Sequence, residues 1–203
     1  MQFMLRGLPF IYQGQEIGME NVNFTSMDQI DDISTRDQYK VAINAGLSPD
    51  EAFAAVKKYS RDNSRTPFQW DTSENAGFST GKPWLMVSPD YKRINVASQI
   101  NDPDSLLSYY KKLTALRKNP EYAETVVYGK TVPYLPEVER LMAFKRVGDN
   151  QTLLVLGNFQ TKAQIVKLPS KCKKVVLNNV KNVEFVSDTE IRLEGYQALV
   201  IEI

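Results

Sequence analysis

The stretch RLMAFKRVGDNQTLLVLGNF, residues 140–159, decides the fold of the C-terminal part of this chain. Two runs rich in apolar residues, 140–147 and 152–159, flank the turn residues Gly148, Asp149 and Asn150. This pattern predicts two short strands joined by a turn. Seven further strands are predicted at similar spacing: 125–129, 131–135, 163–168, 173–179, 183–187, 190–193 and 196–203. Short strands at this spacing predict an all-β domain over residues 121–203, an antiparallel β-sandwich.

Residues 1–120 have a different pattern, which predicts an α/β region with long loops. The segment LPFIY, residues 8–12, is apolar without alternation, as is typical of a short strand buried in a parallel sheet. Such a strand needs neighbours on both sides, and no other candidate strand lies nearby in the sequence. We therefore expect the chain to start inside a larger α/β domain.

Helices are predicted over residues 34–45, 48–59 and 101–120. The second has the strongest signals, because Ser48 is a good N-cap, Pro49 suits the first helical position and Glu51 completes a capping box. A long loop over residues 71–95 carries the aromatic residues Phe78 and Trp84. Long loops in compact proteins are usually functional or disordered, and these aromatics favour an ordered loop.

Composition excludes several classes of function. The chain has 203 residues, a net charge of +1 and no histidine, which removes Ser-His-Asp triads, Cys-His pairs and histidine metal ligands. The single cysteine, Cys172, excludes an internal disulfide and fits a cytoplasmic protein. The evenly spread charge gives no basis for a nucleic-acid or membrane partner. Any catalysis would rest on carboxylates, arginine, lysine or tyrosine.

The stretch YSRDNSRTPFQW, residues 59–70, combines Arg61, Arg65 and Asp62 with aromatic side chains and has no hydrophobic period. Arginine forks beside a carboxylate can bind vicinal hydroxyls, and aromatic faces can cover a sugar ring. The same residues can equally form a structural ion-pair network that holds a loop. The stretch alone leaves these two interpretations level.

Polar residues also follow the predicted strand at its carboxyl end, in QGQEIG, residues 13–18. Gln13, Gln15 and Glu16 would lie near a polar ligand, or Gln13 and Glu16 would satisfy loop amides and a helix end, which the spacing favours. A glycosidase pair of carboxylates is hard to place. Glu16, Asp62 and Asp71 are candidates by location only, and no spacing makes two of them a pair.

Four blocks in order resemble the C-terminal part of oligo-1,6-glucosidases, which are α-glucosidases of glycoside hydrolase family 13: GLPFIYQGQEIGM, SRDNSRTPFQWD, NAGFSTGKPW and SPDYKRINVASQINDPDSLLSYYKKLTALRK. The resemblance implies that residues 1–120 are the C-terminal end of a (β/α)8 barrel, with its last strand, a long loop and its last helix. It implies that residues 121–203 are the C-terminal β-sandwich.

The resemblance also implies a retaining α-glucosidase that hydrolyses α-1,6 or α-1,4 bonds in short gluco-oligosaccharides. It implies that the catalytic carboxylates and the calcium site of such an enzyme lie on barrel segments absent from this sequence. We therefore expect no catalytic residue, metal or cofactor in this chain, and no turnover by the chain alone. Its partner would be the remaining, N-terminal portion of the barrel. The resemblance does not rank isomaltose, maltose, trehalose 6-phosphate and sucrose as substrates.

Three residues are implied to bind substrate. Arg61 is similar to the family's arginine that binds the non-reducing-end glucose, and Asp62 adjoins it. Ser34 stands in DDIST, where many relatives carry a glutamate that contacts the sugar on the leaving side. That departure puts α-1,6 preference in doubt, because a short hydroxyl lacks a carboxylate's reach and charge.

Two alternatives come from other classes of protein. Residues 121–203 could be a stand-alone carbohydrate-binding module, or a structural sandwich that only stabilises its neighbour. Binding modules usually expose aromatic residues on one sheet face. The aromatic residues of this part are predicted mostly at core-like positions, and they are Tyr134, Phe144, Phe159, Phe185 and Tyr196.

Overall fold

A computed structural model describes residues 1–203, which form two compact units. Residues 11–108 make up one, called here the loop unit, and residues 1–10 with 109–203 make up the other, called the strand unit. The predicted domain boundary near residue 120 stays a prediction about how the chain is built from family domains. Compactness divides the chain differently, since the strand unit also takes in residues 1–10 and 109–120.

The loop unit consists of short helices joined by irregular segments. Its α-helices are α1, Ile33–Asn44, α2, Pro49–Lys57, and α3, Val96–Gln99. Single 3-10 turns lie at Gln15–Ile17, Met27–Gln29, Arg61–Ser64, Glu74–Gly77 and Pro89–Lys92. The predicted capping box of α2 is confirmed, because the Ser48 hydroxyl accepts from the Glu51 N–H and the Ser48 N–H donates to Glu51 Oε2 at 3.0 Å.

The hydrophobic core of the loop unit is small. Its buried members are Val22, Phe24 and Ile30, against which Phe53 of α2 and Met86 pack. Much of the rest of this unit is joined by hydrogen bonds between side chains and backbone. In the loop over residues 71–95, Leu85 is buried, and the order of this loop stays a prediction.

The strand unit contains all the strands, one complete helix and most of a second helix, whose residues 106–108 belong to the loop unit. The helices are α4, Leu106–Leu116, and α5, Ala123–Val127. The strands are β1, Lys130–Pro133, β2, Leu141–Val147, β3, Thr152–Asn158, β4, Gln164–Lys167, β5, Lys174–Asn178, β6, Glu184–Ser187, β7, Glu190–Leu193, and β8, Ala198–Glu202. One sheet has the order β1-β2-β3-β8-β5 and the other β4-β7-β6, with every pair antiparallel.

The alternation of β3 explains how the two sheets form a sandwich. Leu154 and Leu156 join the core cluster shared with β4 and β7 of the second sheet. Leu153 and Val155 point to the opposite face and pack with Leu113 and other residues from α4 and α5. Because successive side chains alternate between faces, one apolar run supplies two cores. The predicted hairpin over residues 140–159 and the antiparallel sandwich are both confirmed.

One charged side chain is buried in the strand unit. Arg146 on β2 is 0% exposed, and its guanidinium donates to the Thr131 hydroxyl and to the Val126 carbonyl, the latter at 2.9 Å. Its Nε has no hydrogen-bond partner. Burial lowers the pKa of Arg146, and the charges of Arg117 and Arg6 lower it further.

Three predictions differ from the structure. Residues 8–12 form no strand, and Leu8 and Phe10 are 79% and 83% exposed, because no strand in residues 1–203 lies beside them. Residues 125–129 lie largely in the helix α5 instead of a strand, since burying Val126 in the core outweighs the strand preference of β-branched residues. The aromatic residues of the sandwich are mostly not in the core.

Of those aromatics only Phe144 is buried, at 4% exposure. Phe159 follows the end of β3, Phe185 lies on the edge strand β6 and Tyr196 has a left-handed φ of 56° in a turn. These three positions lie beyond or at the rim of the sheets, where one side of the ring stays open to solvent. The expectation that they are core residues was therefore wrong.

Candidate functional site

The stretch over residues 59–70 folds around one 3-10 turn, Arg61–Ser64. Ser60 is its N-cap, and the Ser60 hydroxyl accepts a hydrogen bond from the Asp62 N–H at 3.3 Å. Serine is a favoured N-cap because its side chain replaces a missing backbone acceptor. The turn directs the side chains of Arg61, Asp62 and Arg65 toward the start of α1.

Asp62 is fully buried and works as an anchor for the backbone before α1. Its Oδ2 accepts from the N–H groups of Asp31 and Asp32 at 2.6 and 2.8 Å. Its Oδ1 accepts from Arg65 Nη1 at 3.1 Å, within an ion pair. The carboxylate is thus occupied on both oxygens and is 0% exposed, which places it behind the surface.

Asp32 and Arg61 form the second ion pair of this network. Asp32 is 2% exposed, and its Oδ1 accepts from Arg61 Nε at 2.9 Å and Nη2 at 2.5 Å. Its Oδ2 accepts from the Thr35 hydroxyl at 2.7 Å. The Arg61 hydrogen bonds hold the pKa of Asp32 well below its usual range, and the same contact raises the pKa of Arg61.

Arg61 is fixed at one end and open at the other. Its side chain is 60% exposed although Nε and Nη2 are bound to Asp32. A guanidinium has five N–H donors, so at least two, on Nη1, remain for another acceptor. A cation whose orientation is set by a buried carboxylate can meet a ligand without first losing side-chain freedom.

A groove of about 270 Å³ lies in front of Arg61 and is called here the Arg61 groove. It is lined by Asp32, Ser34, Thr35, Gln38, Ala55, Val56, Tyr59 and Arg61. The structure therefore brings together two of the three predicted binding residues, Ser34 and Arg61, at the start of α1. Asp62, the third, lies beneath them and contacts the groove only through the residues it holds.

The other predicted polar positions are tied into their own loops. The Gln15 side chain accepts from the Tyr12 N–H at 3.2 Å. Asp71 accepts from the N–H and hydroxyl of Ser73, and these bonds lower the pKa of Asp71. Gln13 and Gln15 line a smaller pocket of about 210 Å³, whereas Glu16 does not. No group of three or more Cys, Asp or Glu side chains in residues 1–203 converges to hold a metal ion.

Sequence reasoning missed Asp32, which orients Arg61, and Tyr59, which lines the groove. The available signal for Asp32 was an aspartate two residues before the predicted helix over residues 34–45, because aspartate is a preferred N-cap residue. The structure shows that the Asp32 side chain makes no cap hydrogen bond and turns instead to Arg61 and Thr35. No local pattern distinguishes these two uses of an aspartate.

Comparisons with known proteins match both parts of the chain. Residues 1–129 match the family model described as alpha amylase, catalytic domain, and residues 141–200 match the alpha-amylase SusG C-terminal domain. An oligo-1,6-glucosidase from Parageobacillus thermoglucosidasius is 40% identical over 98% of this chain and 36% of its own length. A glucan 1,6-alpha-glucosidase from Streptococcus pneumoniae is 37% identical over 87% of this chain and 32% of its own length.

A comparison with solved structures finds the same family. The isomaltulose synthase from Klebsiella sp. LX3 superposes with a TM-score of 0.90 at 34% identity, covering 98% of this chain and 36% of that chain. The chain thus spans about a third of the length of the curated relatives it matches. These matches confirm the predicted fold class, part of a barrel followed by an antiparallel β-sandwich. No helix in residues 1–203 is long and apolar enough to cross a bilayer.

Proposed function

Since this chain belongs to the alpha-amylase family, we propose that it supplies the substrate-binding edge of an α-glucosidase acting on α-1,6 or α-1,4 bonds in short gluco-oligosaccharides. The relatives whose names specify α-1,6-glucosidase activity support this proposal. The observation that carries it is the Arg61 groove, where an exposed guanidinium is held by the buried carboxylate of Asp32.

The reaction that fits this proposal is a retaining double displacement. One carboxylate attacks the anomeric carbon, a carboxylic acid protonates the leaving oxygen, and water then hydrolyses the glucosyl-enzyme. In our proposal both carboxylates belong to barrel segments outside residues 1–203. The chain alone would then bind sugar without hydrolysing it.

The proposed task of Arg61 is to orient the glucose at the cleaved bond. Its free N–H groups would donate to vicinal hydroxyls of the sugar, and Asp32 would hold the Arg61 guanidinium in a constant orientation. A fixed donor lowers the entropy cost of reaching the reactive geometry. Ser34 borders the same groove and could bind the next sugar only through a short hydroxyl, so the linkage preference would depend on other loops.

The proposed macromolecular partner is the rest of the barrel. Leu8 and Phe10 are highly exposed in this chain, and an apolar segment of this kind is suited to pair between two parallel strands. We also propose a cytoplasmic location, which the single cysteine supports.

A chimera tests the function directly. The corresponding C-terminal part of the Bacillus cereus oligo-1,6-glucosidase, a relative 40% identical to this chain, would be replaced by residues 1–203. We expect the chimera to hydrolyse a chromogenic α-glucoside and isomaltose, and the isolated chain to hydrolyse neither. Arg61→Ala should lower kcat/KM of the chimera about 100-fold, a loss typical of one contact strengthened in the transition state.

Arg93→Ala is the matched control, because Arg93 is 68% exposed and pairs only with the exposed Glu20. It should leave turnover unchanged. Arg65→Ala should act through folding, seen as a lower melting temperature, since Arg65 pairs with the buried Asp62. Turnover by the isolated chain, or equal losses for Arg61→Ala and Arg93→Ala, would contradict the proposal.

The exposed aromatics of the sandwich support one other candidate, a carbohydrate-binding module. Phe159 and Tyr196 are 53% and 61% exposed, as sugar platforms require. Titration of maltotriose against the full chain would distinguish it. Micromolar affinity that is lost in Tyr196→Ala and kept in Arg61→Ala would favour the module over the groove.

A further inference from the structure

The loop unit has another groove, of about 570 Å³, which is called here the Trp84 groove. Its walls come from the segment before α1, including Asp28 and Asp31, and from the loop that carries Asn75, Lys82 and Trp84. The side-chain ion pairs of Arg61 with Asp32 and of Arg65 with Asp62 involve no residue that lines this groove. Its lining nevertheless combines an open aromatic ring with polar side chains of both charges.

Trp84 presents a large ring to solvent in a fixed orientation. The residue is 67% exposed, and its indole Nε1 donates to Asp31 Oδ2 at 2.9 Å. No aromatic ring or cation stacks on either face of this indole. An exposed tryptophan whose polar edge is bonded to the protein leaves an apolar face for a ligand.

The loop behind Trp84 is held in a strained conformation. Asn75, Ala76 and Gly77 have left-handed φ values of 52°, 58° and 67° in succession. The Asn75 amide donates to the carbonyls of Ser79 and Gly81 at 3.0 and 3.2 Å, which fixes the chain just before Lys82. Strained backbone of this kind persists where surrounding contacts enforce it, and it is concentrated at ligand sites.

The charges around the groove sum to zero. Asp28 and Asp31 stand against Arg36 and Lys82, and of these only Asp31 and Arg36 pair, at 3.3 Å. Asp28 and Lys82 are in no ion pair. A groove without net charge favours a neutral ligand over a phosphate or a cation. Donors and acceptors around an aromatic face suit a neutral polyhydroxylated ring.

The Trp84 groove adjoins the Arg61 groove through two consecutive residues. Asp31 lines the first and Asp32 the second, and both backbone N–H groups bind the same Asp62 oxygen. The two walls are therefore held by one buried carboxylate.

We propose that the Trp84 groove binds a glucosyl unit of an oligosaccharide, with the apolar face of the sugar ring on the Trp84 indole. Asp28 and Lys82 bond its hydroxyls, and the Asp31–Arg36 pair keeps the indole in place. This assignment rests on the proposed function for its substrate class, and it adds Trp84 as a residue that favours longer chains over disaccharides.

Tryptophan fluorescence gives the test, because the chain has only two tryptophans. Trp70 is 51% exposed, packs on Phe68 at 4.7 Å between ring centroids and does not line the Trp84 groove, so it is the matched control. The full chain is titrated with isomaltotriose, with inorganic phosphate as the comparison ligand. We expect a saturable emission change with isomaltotriose alone, which is kept in Trp70→Phe and abolished in Trp84→Phe.

Calorimetric titration of isomaltotriose then measures affinity without fluorescence. Trp84→Ala should weaken binding about tenfold and Trp70→Ala by less than about twofold, with unchanged thermal melting. Lys82→Ala is a second variant that removes no structural contact, and it should weaken binding about threefold. Absence of binding by the natural chain, an emission change that survives Trp84→Phe, or saturation by phosphate instead of isomaltotriose would each overturn the assignment.

Failure of this inference can be separated from failure of the proposed function. If Trp84→Ala leaves the affinity for isomaltotriose unchanged while Arg61→Ala abolishes turnover of the chimera, only the Trp84 assignment is wrong. If the chimera is inactive but the natural chain binds isomaltotriose through Trp84, only the α-glucosidase proposal is wrong.

Discussion

The two units of this chain are stabilised by different interactions. In the strand unit, β3 sends alternate leucine and valine side chains into two apolar clusters on opposite faces of one sheet. In the loop unit the apolar cluster has three buried members, and the order around Arg61 comes from two buried aspartates that accept backbone and arginine N–H groups. The first unit is held mainly by hydrophobic burial, and the second depends strongly on hydrogen bonds and ion pairs of two buried aspartate side chains.

This difference has a physical consequence for how each unit responds to its surroundings. Hydrophobic burial is insensitive to pH between about 4 and 8, because it involves no titrating group. A buried carboxylate that receives several hydrogen bonds stabilises the fold only while it is ionised. Substitutions in the two units should therefore differ both in size and in pH dependence.

The largest effect is expected from Leu154→Ala. Leu154 is 0% exposed between the two sheets, and its truncation should lower the free energy of unfolding by about 3 kcal/mol at any pH from about 5 to 8. Amide exchange in β3, followed through a urea series, would measure this loss. Leu8→Ala is the matched control, because Leu8 is 79% exposed and its truncation should change the free energy of unfolding little. Similar losses of unfolding free energy in the two variants would contradict the conclusion that hydrophobic burial mainly stabilises the strand unit.

A smaller loss at pH 7 is expected from Asp32→Asn, with a change in pH dependence. The folded pKa of Asp32 is lowered by Arg61, so its ionised form stabilises the loop unit above the unfolded pKa of about 4. That contribution disappears as the pH falls below about 4 toward the folded pKa. Tryptophan emission reports this unit, because Trp70 and Trp84 both lie in residues 11–108.

We expect the natural chain to lose emission-detected stability over that acid range and Asp32→Asn to show a flatter profile. Asp37→Asn serves as the control, since the Asp37 side chain is 62% exposed and pairs only with Lys40. A variant profile parallel to that of the natural chain would show that Asp32 is not the titrating anchor.

The smallest effect is expected from Ser48→Ala at the start of α2. Loss of the capping box should cost about 1 kcal/mol, because one orphan N–H of the helix loses its acceptor. The cost should appear in urea titrations followed by tryptophan emission. Ser34→Ala, at an exposed position in the first turn of α1, should be neutral or slightly stabilising. A larger loss at Ser34 than at Ser48 would contradict the capping explanation.

The sequence was informative where periodicity and local chemistry act alone. The alternation of β3 and the cap of α2 are short-range patterns, and both were predicted correctly. The helix α5 was not, because Val126 is placed by its tertiary packing and not by its neighbours in sequence. Residues 8–12 have the pattern of a buried strand, but a pattern cannot supply the neighbouring strands.

The candidate site was only partly predictable. Arg61 and Ser34 entered through a resemblance to a family, whereas Asp32 was not expected to orient Arg61. Their contact joins residues 29 positions apart in the sequence, and such a pairing leaves no local periodic signal. The same holds for Trp84 and Asp31, which are 53 positions apart. Polar networks of this kind are visible only once the chain has folded.

The buried Arg146 has a further consequence for the strand unit. Its guanidinium is removed from water, bonds only a hydroxyl and a carbonyl, and lies near two other arginines without an acidic partner. A desolvated charge without a counter-ion opposes folding, and apolar residues of similar volume often remove that penalty. The sandwich therefore lies below its attainable stability, and this single position gives evolution or a protein engineer room to tolerate destabilising changes elsewhere in the unit.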